Sequence, residues 1–161
     1  MTCLANHRFS LFYSFLIFLA IITVSCDALT GEEIARISDN QISTEESLDW
    51  KTAELDLKAG DEIGFWAEMD MEYEGNLGLR FQVQVIYEKD TLGIMEIDPM
   101  DKNITLGEVK TEIMDKTSWS YTGKVGSYTV ENDGHYAFRT ILISSPNETL
   151  KLEQADLVFK K

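Results

Sequence analysis

The feature that most constrains this chain is a tight turn followed by a long alternation of side chains. Asn132-Asp133-Gly134 is turn chemistry, because these residue types tolerate the left-handed backbone conformations that hairpin turns need. Along Tyr136–Ile143, successive side chains of an extended chain fall on opposite faces, and residues 127–131 alternate in the same way. The pattern predicts an antiparallel hairpin, with a second strand apolar on most of both faces, as in a central strand packed between layers.

Period-two alternation recurs through most of the chain after residue 50, and turn signals separate the alternating segments. Pro99 has no amide hydrogen to donate, so Asp98–Asn103 is predicted to be a loop. Ile104–Met114 fits two alternatives, a strand with a bulge or a short helix. Eight or nine short strands predict an all-β fold. The polar second face of several strands favours an antiparallel two-sheet β-sandwich.

Residues 1–25 have the layout of a secretory signal peptide. His7 and Arg8 precede an almost unbroken apolar run from Phe9 to Ser25. The alternative is a retained transmembrane anchor, but a run of about 17 residues is at the short end for a span. The chain is therefore predicted to be exported, to the cell envelope or cell surface, or otherwise secreted.

Thr23-Val24-Ser25-Cys26 resembles the end of a bacterial lipoprotein signal, although Thr23 stands where an aliphatic residue is usual. The resemblance implies cleavage before Cys26 and a membrane anchor through lipid on its thiol. Residues 26–49 are rich in polar side chains and are interpreted as a tether, leaving 50–161 as the sandwich domain. Within the tether, isoleucines at 34, 37 and 42 leave open a short edge strand or a helical turn.

Charge and cysteine content exclude some classes of protein. Arg8 is the only basic residue before Cys26, and none of the 28 acidic residues lies there, so the exported part is more acidic than the net −14 of the whole chain. Such a surface argues against nucleic acid as a partner. Cys3 lies in the leader, so no intramolecular disulfide can form after cleavage, and packing must supply the stability.

Two sets of residues are candidates for binding. Asp98, Asp101 and Asn103 offer hard oxygen ligands for structural calcium, although the loop lacks the glycine and terminal glutamate of an EF-hand, and a purely structural loop is the alternative. Exposed aromatic rings stack on sugars or anchor protein interfaces, and the candidates are Trp66, Trp119 and Tyr121. Burial under a neighbouring loop is the alternative for these rings.

Catalysis has little support in the sequence. His135 is the only histidine outside the leader, and no Gly-x-Ser-x-Gly elbow is present for a serine nucleophile. One histidine and one cysteine are too few ligands for a zinc site. The sequence indicates a non-enzyme without a cofactor. A small glycan-active enzyme with a carboxylate pair remains an alternative, because 28 acidic residues always offer pairs.

The segments Tyr128-Thr129-Val130 and Gly134-His135-Tyr136-Ala137-Phe138 resemble a hairpin of jelly-roll domains, including galactose-binding-like carbohydrate modules and the heads of complement-type and tumour-necrosis-factor families. Leu150–Phe159 is similar to the last strand of such modules. With the lipoprotein-like leader, the resemblance implies a lipid-anchored envelope protein that acts as a binding or accessory module for a carbohydrate or protein. A structural envelope protein is a further alternative.

Overall fold

The computed structural model describes residues 30–161, so the predicted signal peptide, Cys26 and the first residues of the predicted tether lie outside the described residues. Glu33–Lys161 forms one compact unit of antiparallel strands. Between residues 30 and 161, no helix is long and apolar enough to span a membrane. The strands are β1 (Glu33–Ser38), β2 (Lys51–Leu57), β3 (Glu62–Glu74), β4 (Leu79–Tyr87), β5 (Asp90–Ile97), β6 (Ile104–Ile113), β7 (Lys116–Thr129), β8 (Gly134–Ser144) and β9 (Lys151–Lys160).

The strands form two antiparallel sheets, which confirms the predicted all-β sandwich. The five-stranded sheet has the order β1-β9-β3-β7-β6, and the four-stranded sheet has the order β2-β8-β4-β5. Without β6, the remaining eight strands have the order of a jelly roll, in which the chain passes from one sheet to the other after every strand except β4, which pairs with β5. β6 is an additional strand, paired only with β7 at the margin of the larger sheet.

The core lies between the inner faces of the two sheets. β8 lies between β2 and β4, as predicted for a central strand, and Tyr136, Phe138 and Leu142 on it are fully buried. The Phe138 ring contacts Phe159 of the opposite sheet, with ring centroids 5.1 Å apart. This aromatic packing supplies cohesion of the kind that disulfides give to many small secreted domains.

The predicted hairpin at Asn132-Asp133-Gly134 is wrong. β7 pairs with β3 and β6, whereas β8 pairs with β2 and β4, so the turn carries the chain from one sheet to the other. The turn is held by its surroundings: the Ala59 amide donates to Asp133 Oδ1 (2.7 Å), and the Tyr136 hydroxyl donates to the Asn132 carbonyl (3.0 Å). Turn residues indicate a change of direction but not which strand becomes the neighbour.

The sandwich begins before residue 50, inside the segment interpreted as a tether. β1 pairs with β9, and Ile37 on it is buried in the core, in line with the edge-strand alternative. Asp39 follows: its amide donates to the Ala155 carbonyl (2.8 Å), and its Oδ2 accepts from the Leu142 amide (3.1 Å). One residue thereby joins the two sheets. The polar composition of residues 26–49 gives no sign that the segment joins the two sheets, because only a few of its side chains face the core.

The ambiguous segment 104–114 is a strand with a bulge. The pairing of β6 with β7 is irregular between Thr105 and Gly107 and regular from Gly107 to Ile113. Every residue of β6 is exposed, because this strand extends the larger sheet past the margin of a jelly roll. The helix-like spacing of its apolar residues arises because the bulge shifts the alternation by one position.

Candidate functional site

The three aromatic candidates do not form one exposed platform. Trp66 lies on the outer face of β3 and is only 3% exposed, with the Lys160 ammonium 5.0 Å from the ring centroid. Trp119 and Tyr121 lie on the inner face of β7, with ring centroids 4.9 Å apart. Tyr121 is buried, and its hydroxyl donates to the Pro99 carbonyl (2.9 Å). Only Trp119 is partly open to solvent.

The chain's own lysine occupies the space beside the inner aromatic pair. The Lys102 ammonium lies 4.3 Å from the Trp119 ring centroid and 3.9 Å from that of Tyr121. The lysine also donates to Glu108 Oε1 (2.7 Å), as does the Trp119 indole (2.7 Å). These two hydrogen bonds lower the pKa of Glu108. Cation–π contacts and a charge-assisted hydrogen bond of this kind stabilise the packing of the loop on β7.

The Asp98–Asn103 loop has structural contacts that use its candidate ligand oxygens. Asp98 Oδ2 accepts from Arg80 (2.6 Å), and Asp98 Oδ1 accepts from the Met100 amide (2.9 Å). Asp101 and Asn103 are exposed. Within residues 30–161, no group of three histidine, cysteine, aspartate or glutamate side chains is placed to hold a metal ion. The calcium assignment stays a prediction without a geometric site to support it.

Acidic side chains form a row on the outer face of the larger sheet. Glu68, Asp70 and Glu72 share that face, as their pairing with β7 shows. Arg36 bridges Glu68 (2.6 Å) and Asp156 (2.7 Å) across three strands. Burial raises the pKa of Asp156, but hydrogen bonds from Gln154, Ser38 and Arg36 outweigh it, so the net shift is downward. The negative charge of this row is therefore partly neutralised by the ion pairs of Arg36.

Beside this network the outer face has a shallow depression of about 290 Å³. Its lining is mixed, and the polar side chains in it include four from three strands: Glu68, Ser120, Thr122 and Gln154. Val109 of β6 forms part of the rim. Hydroxyl and amide groups of this kind can bind a small polar ligand by hydrogen bonds.

His135 lies on the surface at the start of β8. Its Nδ1 is 3.1 Å from Asp56 Oδ1, and its Nε2 is 3.8 Å from Glu54 Oε2. The hydrogen bond to Asp56, followed by the charges of Asp56, Glu54 and Glu88, raises the pKa of His135. Both side chains are exposed, so the pair has the environment of a surface ion pair.

The exposed aliphatic side chains are concentrated at one side of the sandwich. β1 packs near β2, so β6 and β5 both lie at the opposite side. Among residues 30–161, the exposed large hydrophobic side chains are on β5, on β6 or in the turn after it, except Leu48. We call this set the apolar edge: Leu92, Ile94, Ile104, Leu106, Val109, Ile113 and Met114.

A cleft opens beside the β5 part of the apolar edge. Its volume is about 320 Å³, and Val85, Met95 and Tyr128 line it. Gly93 leaves space there, because no atom lies within 4 Å of the position that a Cβ would occupy. Leu92 and Ile94 complete the lining, together with Glu131. The arrangement of exposed aliphatic residues around a recess suits an apolar side chain presented by a partner.

Sequence reasoning missed the apolar edge. Its residues alternate like those of any half-buried strand, and alternation does not distinguish an inner face from an exposed outer one. The signal that was present is chemical: Leu92 and Ile94 alternate with Gly93 and Met95, so neither face of β5 is polar at that point. Such a pattern requires either two covering layers or an exposed apolar surface.

Comparisons of this chain with protein-family models, with curated proteins and with solved structures found no match.

Proposed function

We propose that this chain is an exported, lipid-anchored envelope protein that acts as a non-catalytic binding module, with a protein as its partner. The observation that carries the proposal is the concentration of exposed aliphatic side chains on β5 and β6. Leu92 and Ile94 lie two residues apart on β5, and an exposed apolar patch on a folded domain is typical of a protein interaction site. The partner would bind at the β5 part of the apolar edge, where Leu92 and Ile94 border the cleft.

The placement of the aromatic rings favours a protein over a carbohydrate as the ligand. Sugar-binding surfaces use exposed tryptophan or tyrosine rings as stacking platforms. Trp66 and Tyr121 are buried, and Lys102 occupies the space beside Trp119. Aliphatic side chains around a recess instead resemble the central part of protein interfaces, where truncation of a few anchors removes most of the affinity.

A photocrosslinking amino acid placed at Ile94 tests the proposal in the cells that produce the protein. Leu48 is the matched control, because it is an exposed leucine outside the apolar edge. We expect a discrete adduct with another protein from position 94, its loss on Leu92→Asp, and no such adduct from position 48. Equal adducts from both positions, or none from position 94, would contradict the proposal.

The lipid anchor has a separate test. Mass spectrometry of the mature N-terminus should show a chain that begins at an acylated Cys26, whereas an intact or differently cleaved leader would contradict this part of the proposal.

The shallow depression on the outer face favours a second candidate, binding of a small glycan. Its support is the group of hydrogen-bonding side chains from β3, β7 and β9. A glycan array separates the candidates. Binding that Thr122→Val abolishes and Leu92→Asp leaves intact would favour the glycan.

A further inference from the structure

β6 presents an unpaired backbone edge with a regular geometry. It pairs with β7 on one side only, and from Gly107 to Ile113 the pairing has no irregularity. All of its residues are exposed, including Val109 at 70% and Ile113 at 66%. Natural edge strands are usually protected by charge, bulges or covering segments, because an open edge is a template for another strand.

The two faces of β6 differ in chemistry. Val109, Thr111 and Ile113 lie on the outer face, since Val109 and Thr111 pair with Ser120 and Ser118 of β7. The alternate residues lie on the inner face, since Glu108 pairs with Tyr121 and Lys110 with Trp119. The Lys110 ammonium is 2.7 Å from Glu112 Oε1, and both side chains reach solvent. β6 therefore has one β-branched face and one face of alternating charge.

We propose that β6 pairs antiparallel with β6 of a second copy of this chain, about a two-fold axis through Thr111. In this register Val109 of each copy faces Ile113 of the other, so two pairs of β-branched residues form on the outer face. Lys110 of each copy faces Glu112 of the other, so two pairs of opposite charge form on the inner face. Directly opposed apolar and oppositely charged side chains both stabilise antiparallel strands. The same surface on both copies makes a closed two-fold interface.

The charge pattern of β6 and the position of its bulge together select this register over the neighbouring ones. An axis through Lys110 would set Glu108 against Glu112 and lysine against lysine, which is unfavourable. An axis through Val109 would bring the bulge at Leu106 into the paired segment, opposite Glu112. The axis through Thr111 uses only the regular part of the strand.

The net charge of the chain opposes association but does not outweigh the local pairs. Two copies each carry a large excess of acid, and the whole chain has a net charge of −14. At physiological ionic strength, interactions between exposed charges are screened beyond about 8 Å, whereas side chains opposed across paired strands lie roughly 5 Å apart. The paired charges are therefore screened less than the distant acidic residues.

Cysteine crosslinking of the full chain tests the register. In the proposed dimer the two Thr111 residues face each other at roughly 5 Å between Cα atoms, within the range of a disulfide. The two Val109 residues would be about 13 Å apart, outside that range. We expect Thr111→Cys to give a disulfide-linked dimer under mild oxidation, and Val109→Cys not to give one. The parent chain shows any background from Cys3 and Cys26.

Charge exchange tests the pairing without a crosslink. Residue 110 of each copy faces residue 112 of the other, so Lys110→Glu or Glu112→Lys alone gives two pairs of like charges in the dimer. The two changes together restore two pairs of opposite charges. We expect each single variant to raise the dimer dissociation constant at least tenfold in sedimentation equilibrium, and the double variant to return it to within threefold of the parent value. Circular dichroism would show that each variant keeps the fold.

Several outcomes would overturn the inference. These are a chain that stays monomeric up to millimolar concentration, crosslinking of Val109→Cys in place of Thr111→Cys, and a double variant as weak as the single ones. The dimer is independent of the partner proposed above, because the latter contacts β5. Loss of the Ile94 adduct with an intact Thr111 crosslink would reject the partner alone, and the reverse result would reject the dimer alone.

Discussion

Asp39 is the buried carboxyl on which both sheets depend. It is 1% exposed, and its second oxygen, Oδ1, has no hydrogen-bond partner among the described residues. Burial, and then the charge of Asp49, raise its pKa to about 6, while hydrogen bonds from the Leu142 and Gln41 amides and the charge of Lys51 act in the opposite direction. The native state therefore binds this proton more tightly than the unfolded chain does.

Replacement of Asp39 by Asn should change the pH dependence of stability. Because the native pKa lies above the ordinary value of 3.8, Asp39 makes the fold less stable as the pH rises through 6. We expect the free energy of unfolding of Asp39→Asn, relative to the parent chain, to improve by about 1–2 kcal/mol between about pH 4.5 and pH 7.5. Urea unfolding at the two pH values measures this difference.

The matched control for this prediction is Asp90→Asn. Asp90 lies on β5 and is exposed, so the same change there controls for the loss of a surface carboxylate. A difference between Asp39→Asn and the parent chain that is equal at both pH values would contradict the prediction, because it would mean that folding does not raise the pKa of Asp39.

At the scale of the elements, the loop after β5 and the β6–β7 ribbon depend on a glycine. A Cβ added at Gly123 would lie 2.7 Å from Lys102 Cδ and 3.0 Å from the Ile104 carbonyl oxygen. The lysine stem crosses β7 at that point to place its ammonium beside Trp119. The Ile104 carbonyl oxygen cannot move without loss of the pairing between Ile104 and Lys124, the first pair of β6 with β7. The position that a Cβ of residue 123 would occupy must therefore stay empty.

Gly123→Ala should therefore destabilise the fold. We expect a loss of about 1–3 kcal/mol in the free energy of unfolding, as in other overpacked sites, measured by urea denaturation. Hydrogen exchange should show faster opening of β6. Gly126→Ala is the control on the same strand, because its Cβ would meet only the Phe65 ring, at an ordinary 3.6 Å. Equal losses in the two variants would mean that the cost comes from strand glycines in general.

The strands could be predicted from the sequence better than their pairing partners could. Alternation depends on local side-chain chemistry, which is why β8 was correctly predicted as a central strand, and Tyr136, Phe138 and Leu142 on one of its faces are fully buried. Pairing depends on distant segments. The turn at Asn132-Asp133-Gly134 has the same local chemistry whether the chain returns to the same sheet or crosses to the other one. The predicted hairpin failed for that reason.

The candidate site was less accessible to sequence reasoning than the fold. Trp119 and Tyr121 were both candidate binding residues, but their contact with Lys102 joins residues 17 and 19 positions apart through a loop whose path the sequence does not determine. The exposure of Ile113 and Val109 follows from the position of β6 at the margin of a sheet. Strand order is a property of the assembled sheets, so no local pattern could supply it.

At the scale of the whole molecule, both sheets end in an open strand on the same side. The opposite side is held by β1 against β2 and by Asp39, which bonds to both sheets. β5 and β6 have no such covering contact among the described residues, and they carry the exposed aliphatic side chains. The sandwich thus has one closed side that supports the fold and one open side that is available for association. Both proposals above concern that open side.

The charge of the whole chain leads to a last prediction, that salt stabilises this fold. With a net charge of −14, the folded state brings many carboxylates together, and screening weakens their repulsion. The ion pairs that salt also weakens are mostly exposed and contribute little each. We expect sodium chloride, raised from about 0.01 M to about 0.5 M, to increase the free energy of unfolding by roughly 1 kcal/mol, or the melting temperature by about 4 °C.

Sucrose of equal osmolality controls for non-ionic effects. A fall in stability with salt would mean that the Arg36 network outweighs the general repulsion between carboxylates.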